Sequence, residues 1–233
     1  MKDFLNVYFA GELFSAKHLI GNAILAETIW DLSKGRYHCY LPQNLEKRHD
    51  TPHSIRDEDI KSVISADVGL FNYDGPELDS GTVVEYLFSK FADIPAVILR
   101  TDFRSGGDQD SSNAWNLMTS FFPRTEVLII NSMTLYKDAL EIHADGASHL
   151  CLHEKKISTS SHHMIRLIAE QVIAAMDRVT QIEPIMPEEM QETIYRWLAM
   201  MPGFKQKHSE VTTDLLKALD RKMKNVRTPA TSS

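Results

Sequence analysis

Cysteine is nearly absent from this chain. Cys39 and Cys151 are its only two; they lie far apart and outside any Cys-x-x-Cys pairing, which excludes a disulfide framework and points to reduced thiols. No apolar run reaches bilayer-spanning length, and the start, Met1-Lys2-Asp3-Phe4-Leu5-Asn6-Val7, has no apolar signal core, so a cytoplasmic protein with no membrane partner is expected. Positive charge is scarce as well. Lys and Arg number 25 against 32 Asp and Glu, a formal net charge of -7 with no basic stripe, so nucleic acid is not an expected partner. There is no internal repeat. What remains is 43% hydrophobic and 24% charged over 233 residues, enough for one sizeable core plus an accessory segment.

The first half alternates strands and helices. Val7-Tyr8-Phe9-Ala10 is a short strand ended by Gly11. Leu19, Ile20, Ala23, Ile24 and Ile29 then repeat at helical spacing from Ala16 to about Ser33. A strand from Tyr37 to Leu41 stops at Pro42, and a helix follows around Ser54 to Ile64, with Ser54 as its expected cap. Further strands are expected at Asp67–Phe71, Ala96–Arg100 and Thr125–Ile130. Five strands alternating with helices predict an α/β fold, a parallel sheet covered on both faces. The Ser, Gly and Asp-rich stretch from Thr101 to Ser112 reads as a mobile loop. Beyond Ser132 the pattern turns helical, at Leu135–Ile142, Ser160–Val179, Pro187–Met200 and Ser209–Met223, with His162 and His163 near a helix start. The organisation expected is a catalytic domain over 1–145, a helical extension over 146–226 packed on the core or on a neighbouring subunit, and a disordered tail over 227–233.

Chemistry concentrates in Asp79-Ser80-Gly81-Thr82-Val83-Val84-Glu85. This run follows a buried-type strand and the loop Asn72-Tyr73-Asp74-Gly75-Pro76, so it sets free carboxylates and a helix start at the rim of the sheet, where ligands of α/β proteins bind. The same acids also suit a helix N-terminus on structural grounds alone, Asp79 as a cap and Glu85 as a solvated glutamate.

Taken with Tyr8-Phe9-Ala10-Gly11 and Asn116-Leu117-Met118, this run resembles the signatures of the nucleoside 2-deoxyribosyltransferase family, over roughly Val7 to Ile130. The resemblance implies a flavodoxin-like parallel sheet, no cofactor, and exchange of the base of a 2′-deoxyribonucleoside through a covalent deoxyribosyl-enzyme. It also implies 2′-deoxyribonucleosides and free nucleobases as partners, and a homo-oligomer with shared active sites. On this reading Glu85, on the first turn of its helix, is the nucleophile, held ionised by the helix dipole and by a hydrogen bond from Tyr8. Asp79 and the neighbouring Ser80 bind the sugar, with Asp79 accepting a hydroxyl. Asp59 protonates the departing base, although Asp57 is close enough to exchange with it. Gly11 belongs to the loop after the first strand; Gln43 and Asn44 read the base edge and Phe14 stacks on it. Asn116 reaches the sugar in a neighbouring subunit's site, and Met118 lines the base pocket.

Two other readings stand beside this one. A 2′-deoxynucleoside 5′-monophosphate N-glycosidase would need donors for a phosphate; Ser15, Ser80 and Thr82 offer hydroxyls, whereas Glu12 and Asp79 repel it. A non-catalytic nucleoside or nucleotide sensor would use the C-terminal helices to contact a partner. His149-Leu150-Cys151-Leu152-His153 places three metal-type ligands on one face of a strand but lacks a fourth at a recognisable spacing, so no metal site is expected. Trp197, Met200, Met201 and Phe204 form an apolar face suited to core or subunit contact.

Overall fold

The computed structural model describes residues 4–45, 51–104, 117–142 and 153–227. Its first strand, β1 (Leu5–Ala10), leads into α1 (Ala16–Leu32), β2 (Tyr37–Tyr40), the single turn α2 (Pro42–Leu45) and α3 (Pro52–Ser65). Then come β3 (Val68–Asn72), α4 (Ser80–Phe91), β4 (Ala96–Arg100), a short 3-10 turn (Leu117–Thr119), β5 (Thr125–Ile129) and α5 (Ser132–Ile142). Three helices complete the chain: α6 (His153–Thr180), α7 (Glu188–Leu198) and α8 (His208–Arg227).

The five strands pair in parallel in the order β2-β1-β3-β4-β5, the flavodoxin-like order. Connections from β1 and β3 leave in opposite directions, so a crevice opens at the carboxyl ends of these two neighbours. Alternation along β1 decides which side chains look into it. Val7 and Phe9 join a core with α1 and α6 residues such as Ile29, Val172 and Met176, while Tyr8 and Ala10 join a second core on the α3 and α4 face with Val63, Phe71 and Tyr86. Tyr8, Glu85 of α4 and Asp59 of α3 are thereby committed to the same side of the sheet.

A third cluster lies outside the second. Ile60 and Ile64 of α3 and Ala92 and Ile94 after α4 pack against Tyr195, Leu198 and Ala199 of α7 and its end, and Val211 and Leu215 of α8. Each fully buried leucine or valine here contributes roughly 1.5–3 kcal/mol of transfer free energy. The helix α3 is thus covered on both sides, with Val63 facing the sheet and Ile60 and Ile64 facing α7 and α8.

Several local expectations shift. The cap of α3 is Thr51, whose hydroxyl accepts the Ser54 N–H at 3.2 Å while the Ser54 side chain answers the Thr51 N–H; Ser54 is the far side of a capping box, and Pro52 occupies the first turn, where its missing N–H costs nothing. The strand β2 stops before Pro42 as expected, and the same proline preference lets Pro42 also open α2. His162 and His163 lie inside α6, which starts at His153. The helix α8 carries on through Arg227, the first residue of the expected tail. Residues 105–112 of the Ser, Gly and Asp-rich loop, Asn116, Cys151 and residues 228–233 lie outside the described residues. Among the described residues, no helix is long and apolar enough to cross a membrane.

Candidate active site

Tyr8 is 1% exposed, and its hydroxyl donates to Glu85 Oε1 at 2.6 Å across 77 positions of sequence. Burial, then the negative charges of Glu85 and Asp59, hold the phenol well above its ordinary pKa, so Tyr8 keeps its proton and acts as a donor. Burial also acts on Glu85 and pushes it up to about 7; the Tyr8 hydrogen bond pulls it down, and the charges of Asp59 and Asp79 push it further up. This corrects the expected electrostatics. The helix α4 begins at Ser80, so Glu85 stands in its second turn, beyond the turn where the helix dipole acts strongly. At neutral pH the carboxyl is poised near half-ionisation rather than held fully charged.

Asp79 caps α4: its Oδ2 accepts the Thr82 backbone N–H at 2.7 Å and the Thr82 hydroxyl at 2.9 Å. A Cβ on Gly81 would stand 3.1 Å from that same oxygen, which is why glycine follows Ser80 in the run. The cap uses one oxygen of the carboxylate. Among the described residues, Oδ1 receives no hydrogen bond and can accept one from a ligand.

The face of α3 separates its two candidate acids. Asp59 shares a side with Val63, one turn on, which packs toward the sheet; its charge is felt at both Tyr8 and Glu85. Asp57 points the other way, accepting the Lys205 N–H at 2.8 Å and pairing with Arg56 and His53. The structure therefore brings Asp59, and not Asp57, into the group with Tyr8, Glu85 and Asp79.

The remaining predicted residues sit around the carboxyl edge of the sheet. Gly11 follows β1 directly, and a Cβ there would come within 3.0 Å of the Asn72 Cβ, so glycine lets the loop after β1 pass the end of β3. Phe14, in that loop, is 75% exposed, and Met118, in the 3-10 turn, is 80% exposed. Both expose apolar surface at the rim. Gln43 and Asn44 lie in α2 after β2; Gln43 spends its amide nitrogen on the Leu19 carbonyl at 3.0 Å, while Asn44 is exposed. Ser80 is exposed on the first turn of α4.

One group escaped the sequence reading. Asp74, in the loop after β3, is a fastener: it accepts the Thr101 hydroxyl at 2.6 Å and the Thr101 and Asp102 backbone N–H groups. Arg100, buried at the end of β4, donates to the carbonyls of Tyr73 and Gly75, and Asp102 accepts the Gly75 N–H at 3.2 Å. These bonds tie the loop before Asp79 to the end of β4. The only signal in sequence was a charged residue closing an otherwise apolar strand. Among the described residues, no cluster of His, Cys, Asp and Glu is arranged to hold a metal ion; His149, Cys151 and Leu152 of the tempting histidine segment fall outside them.

The family model described as Nucleoside 2-deoxyribosyltransferase matches residues 7–118, from β1 to the 3-10 turn. The resemblance read from Tyr8, Asp79 to Glu85 and Asn116 to Met118 is borne out over that stretch. Two solved structures are similar to the chain. One is a conserved protein from Enterococcus faecalis V583, at 25% identity, covering 75% of this chain and 98% of that one with a TM-score of 0.45. The other is a 2-desoxiribosyltransferase from Leishmania mexicana, at 17% identity, covering 52% of this chain and 89% of that one with a TM-score of 0.43. No curated protein matches the sequence.

Proposed function

We propose that this protein exchanges the base of a 2′-deoxyribonucleoside by double displacement through a covalent deoxyribosyl-Glu85 intermediate. The observation that carries the reading is the Tyr8 hydroxyl donating to Glu85 Oε1 at 2.6 Å inside the segment that matches the family. A half-buried glutamate at the carboxyl edge of the sheet, with one oxygen fixed by a phenol, leaves its other oxygen to approach an anomeric carbon from one face.

In the first displacement Glu85 bonds to C1′ as the glycosidic bond breaks, and the bonding pair leaves with the base nitrogen, which takes the proton of the Asp59 carboxylic acid and leaves Asp59 ionised. In the second, a ring nitrogen of an incoming base attacks C1′ from the vacated face, gives up its proton by the same route and frees the Glu85 carboxylate. Two inversions give retention. Asp79 accepts a sugar hydroxyl with the oxygen its cap leaves open, next to the exposed Ser80. Phe14, Met118, Gln43 and Asn44 surround the base, with Gln43 acting through its amide oxygen because its nitrogen is engaged. Asn116 is assigned to the sugar of a neighbouring subunit's site, which makes the active species a homo-oligomer acting in the cytoplasm without a cofactor.

The test supplies the purified protein with deoxyinosine and adenine. Deoxyadenosine is expected, with slower hydrolysis because water can replace the acceptor base. Hypoxanthine release alone, or activity restricted to 5′-monophosphates, would contradict the transfer reading and favour the N-glycosidase; ligand binding without turnover would favour a sensor.

A further inference from the structure

The chain beyond α6 has no part in the reaction as described above, yet it grips the helix that carries Asp59 along its whole outer side. At the amino end of α3, Arg56 donates to the carbonyls of Pro202 at 2.7 Å and Gly203 at 3.2 Å, and Asp57 accepts the Lys205 N–H at 2.8 Å. In the middle, Lys61 pairs with Asp214 of α8 at 3.7 Å, and Ile60 packs against the apolar cluster of α7 and α8. At the carboxyl end, Arg221 donates to the Ser65 carbonyl at 2.6 Å and Lys222 to the Ile64 carbonyl at 2.5 Å, so two orphan carbonyls of the last turn are satisfied by α8. Lys222 also donates to the Tyr195 hydroxyl, which in turn donates to the Ala92 carbonyl at the end of α4.

Helical geometry gives these contacts a consequence for Asp59. Residues 56, 60 and 64 form one row and 57 and 61 an adjacent one, and both rows are held by the extension; 59 and 63 form the row that faces the sheet. A rotation of α3 about its axis by a small part of a turn would carry Asp59 away from Tyr8 and Glu85 while leaving every backbone hydrogen bond of the helix intact. On the sheet side α3 contributes Val63 to the apolar core, and on the opposite side Ile60 and Ile64 enter the cluster of α7 and α8. Contacts from Arg56, Asp57 and Lys61 add polar restraints against the same rotation.

We propose that Arg56 and Asp57 are positioning residues for the base-leaving step: through the segment from Pro202 to Lys205 they lock the rotation of α3 that aims Asp59 at the departing base. This rests on the reading of Asp59 as the group that delivers the proton, and it gives the C-terminal extension a role in the chemistry of the site.

The test compares two donors with the full-length protein. Deoxyadenosine needs a proton on its leaving base; 7-methyl-2′-deoxyguanosine carries a cationic base that departs without one. Arg56→Ala and Asp57→Ala, which removes the acceptor for the Lys205 N–H, are each expected to lower kcat for deoxyadenosine about 10- to 100-fold, the scale of a misplaced catalytic group, with KM changed by no more than about twofold and base release from the 7-methyl donor retained. Arg56→Lys, which keeps a donor for the Pro202 carbonyl, is expected to recover part of the loss. A parallel loss on both donors, or a loss on neither, would overturn the proposal; Asp57→Ala keeps it open to test should Arg56→Ala fail to fold. Asp59→Asn is the reference. If it does not separate the two donors, the role of Asp59 falls and this inference with it, whereas a wild-type protein that transfers to no acceptor would instead refute the functional reading itself.

Discussion

The Tyr8 hydroxyl and the Glu85 carboxyl are joined by a bond 2.6 Å long at a place that burial makes unfavourable for negative charge. In the proposed reaction ionised Glu85 is the reactive form, so kcat/KM should rise with pH through the carboxyl's value of about 7. The Tyr8 bond is the influence that lowers this value, and Asp59 is one of those that raise it. Tyr8→Phe should therefore move the acid limb of the kcat/KM profile to higher pH, by roughly 1–2 units given that a hydrogen bond to a charged group contributes about 1.5–3 kcal/mol, and should reduce the rate at neutral pH. Asp59→Asn should move the same limb to lower pH. A Tyr8→Phe limb that stays in place would mean that the hydrogen bond does not govern the ionisation of Glu85. The residue types at this site were legible in the sequence. Their electrostatics were not, because desolvation depends on what the fold packs around an acid, and a first-turn position was expected for a glutamate that stands in the second.

At the level of single elements, α4 carries two jobs in one segment. Its N-cap and its proposed sugar ligand are the same side chain, Asp79. Asparagine caps helices about as well as aspartate but accepts a hydroxyl without charge, so the two jobs can be separated. Asp79→Asn should leave thermal stability nearly unchanged and raise KM for the nucleoside, whereas Asp79→Ala should do the second and also lose about 1 kcal/mol of stability, read from denaturant unfolding. An Asp79→Asn protein with unaltered KM would reduce Asp79 to a cap. Most elements could be placed from periodicity and punctuation, and β4 matches its expected limits at Ala96 and Arg100. Capping chemistry was harder: Ser54 looked like a cap because a serine precedes an apolar repeat, but Thr51 before Pro52 wins by starting a reciprocal pair of hydrogen bonds. The assignment of Asp59 over Asp57 also belongs to this scale. Two acids two residues apart lie on different faces of a helix, and only the positions of the sheet and of α8 decide which face is which.

Over the whole molecule, the parallel sheet sorts side chains into layers. One layer, with α1 and α6, is a plain apolar core; the opposite layer, between the sheet and α3 and α4, holds Tyr8, Asp59, Asp79 and Glu85 at its carboxyl edge. A further layer of α7 and α8 braces α3 and α4 from outside. Strand alternation and helix spacing made the sheet and its coverage legible in the sequence. The bracing layer was visible only as a run of helices, since its contacts join Arg56 to Pro202 and Lys222 to Ile64 across 146 and 158 positions that no local pattern connects. All three layers converge on one claim, that Glu85 takes the sugar onto itself. The most direct measurement is the intact mass of the protein after brief incubation with a 2′-deoxyribonucleoside and no acceptor base, followed by peptide mapping. The account predicts an increase by one deoxyribosyl group on the peptide containing Glu85, reversed by adding a free base and absent in Glu85→Ala. Turnover without such an adduct, or an adduct that persists in Glu85→Ala, would contradict it.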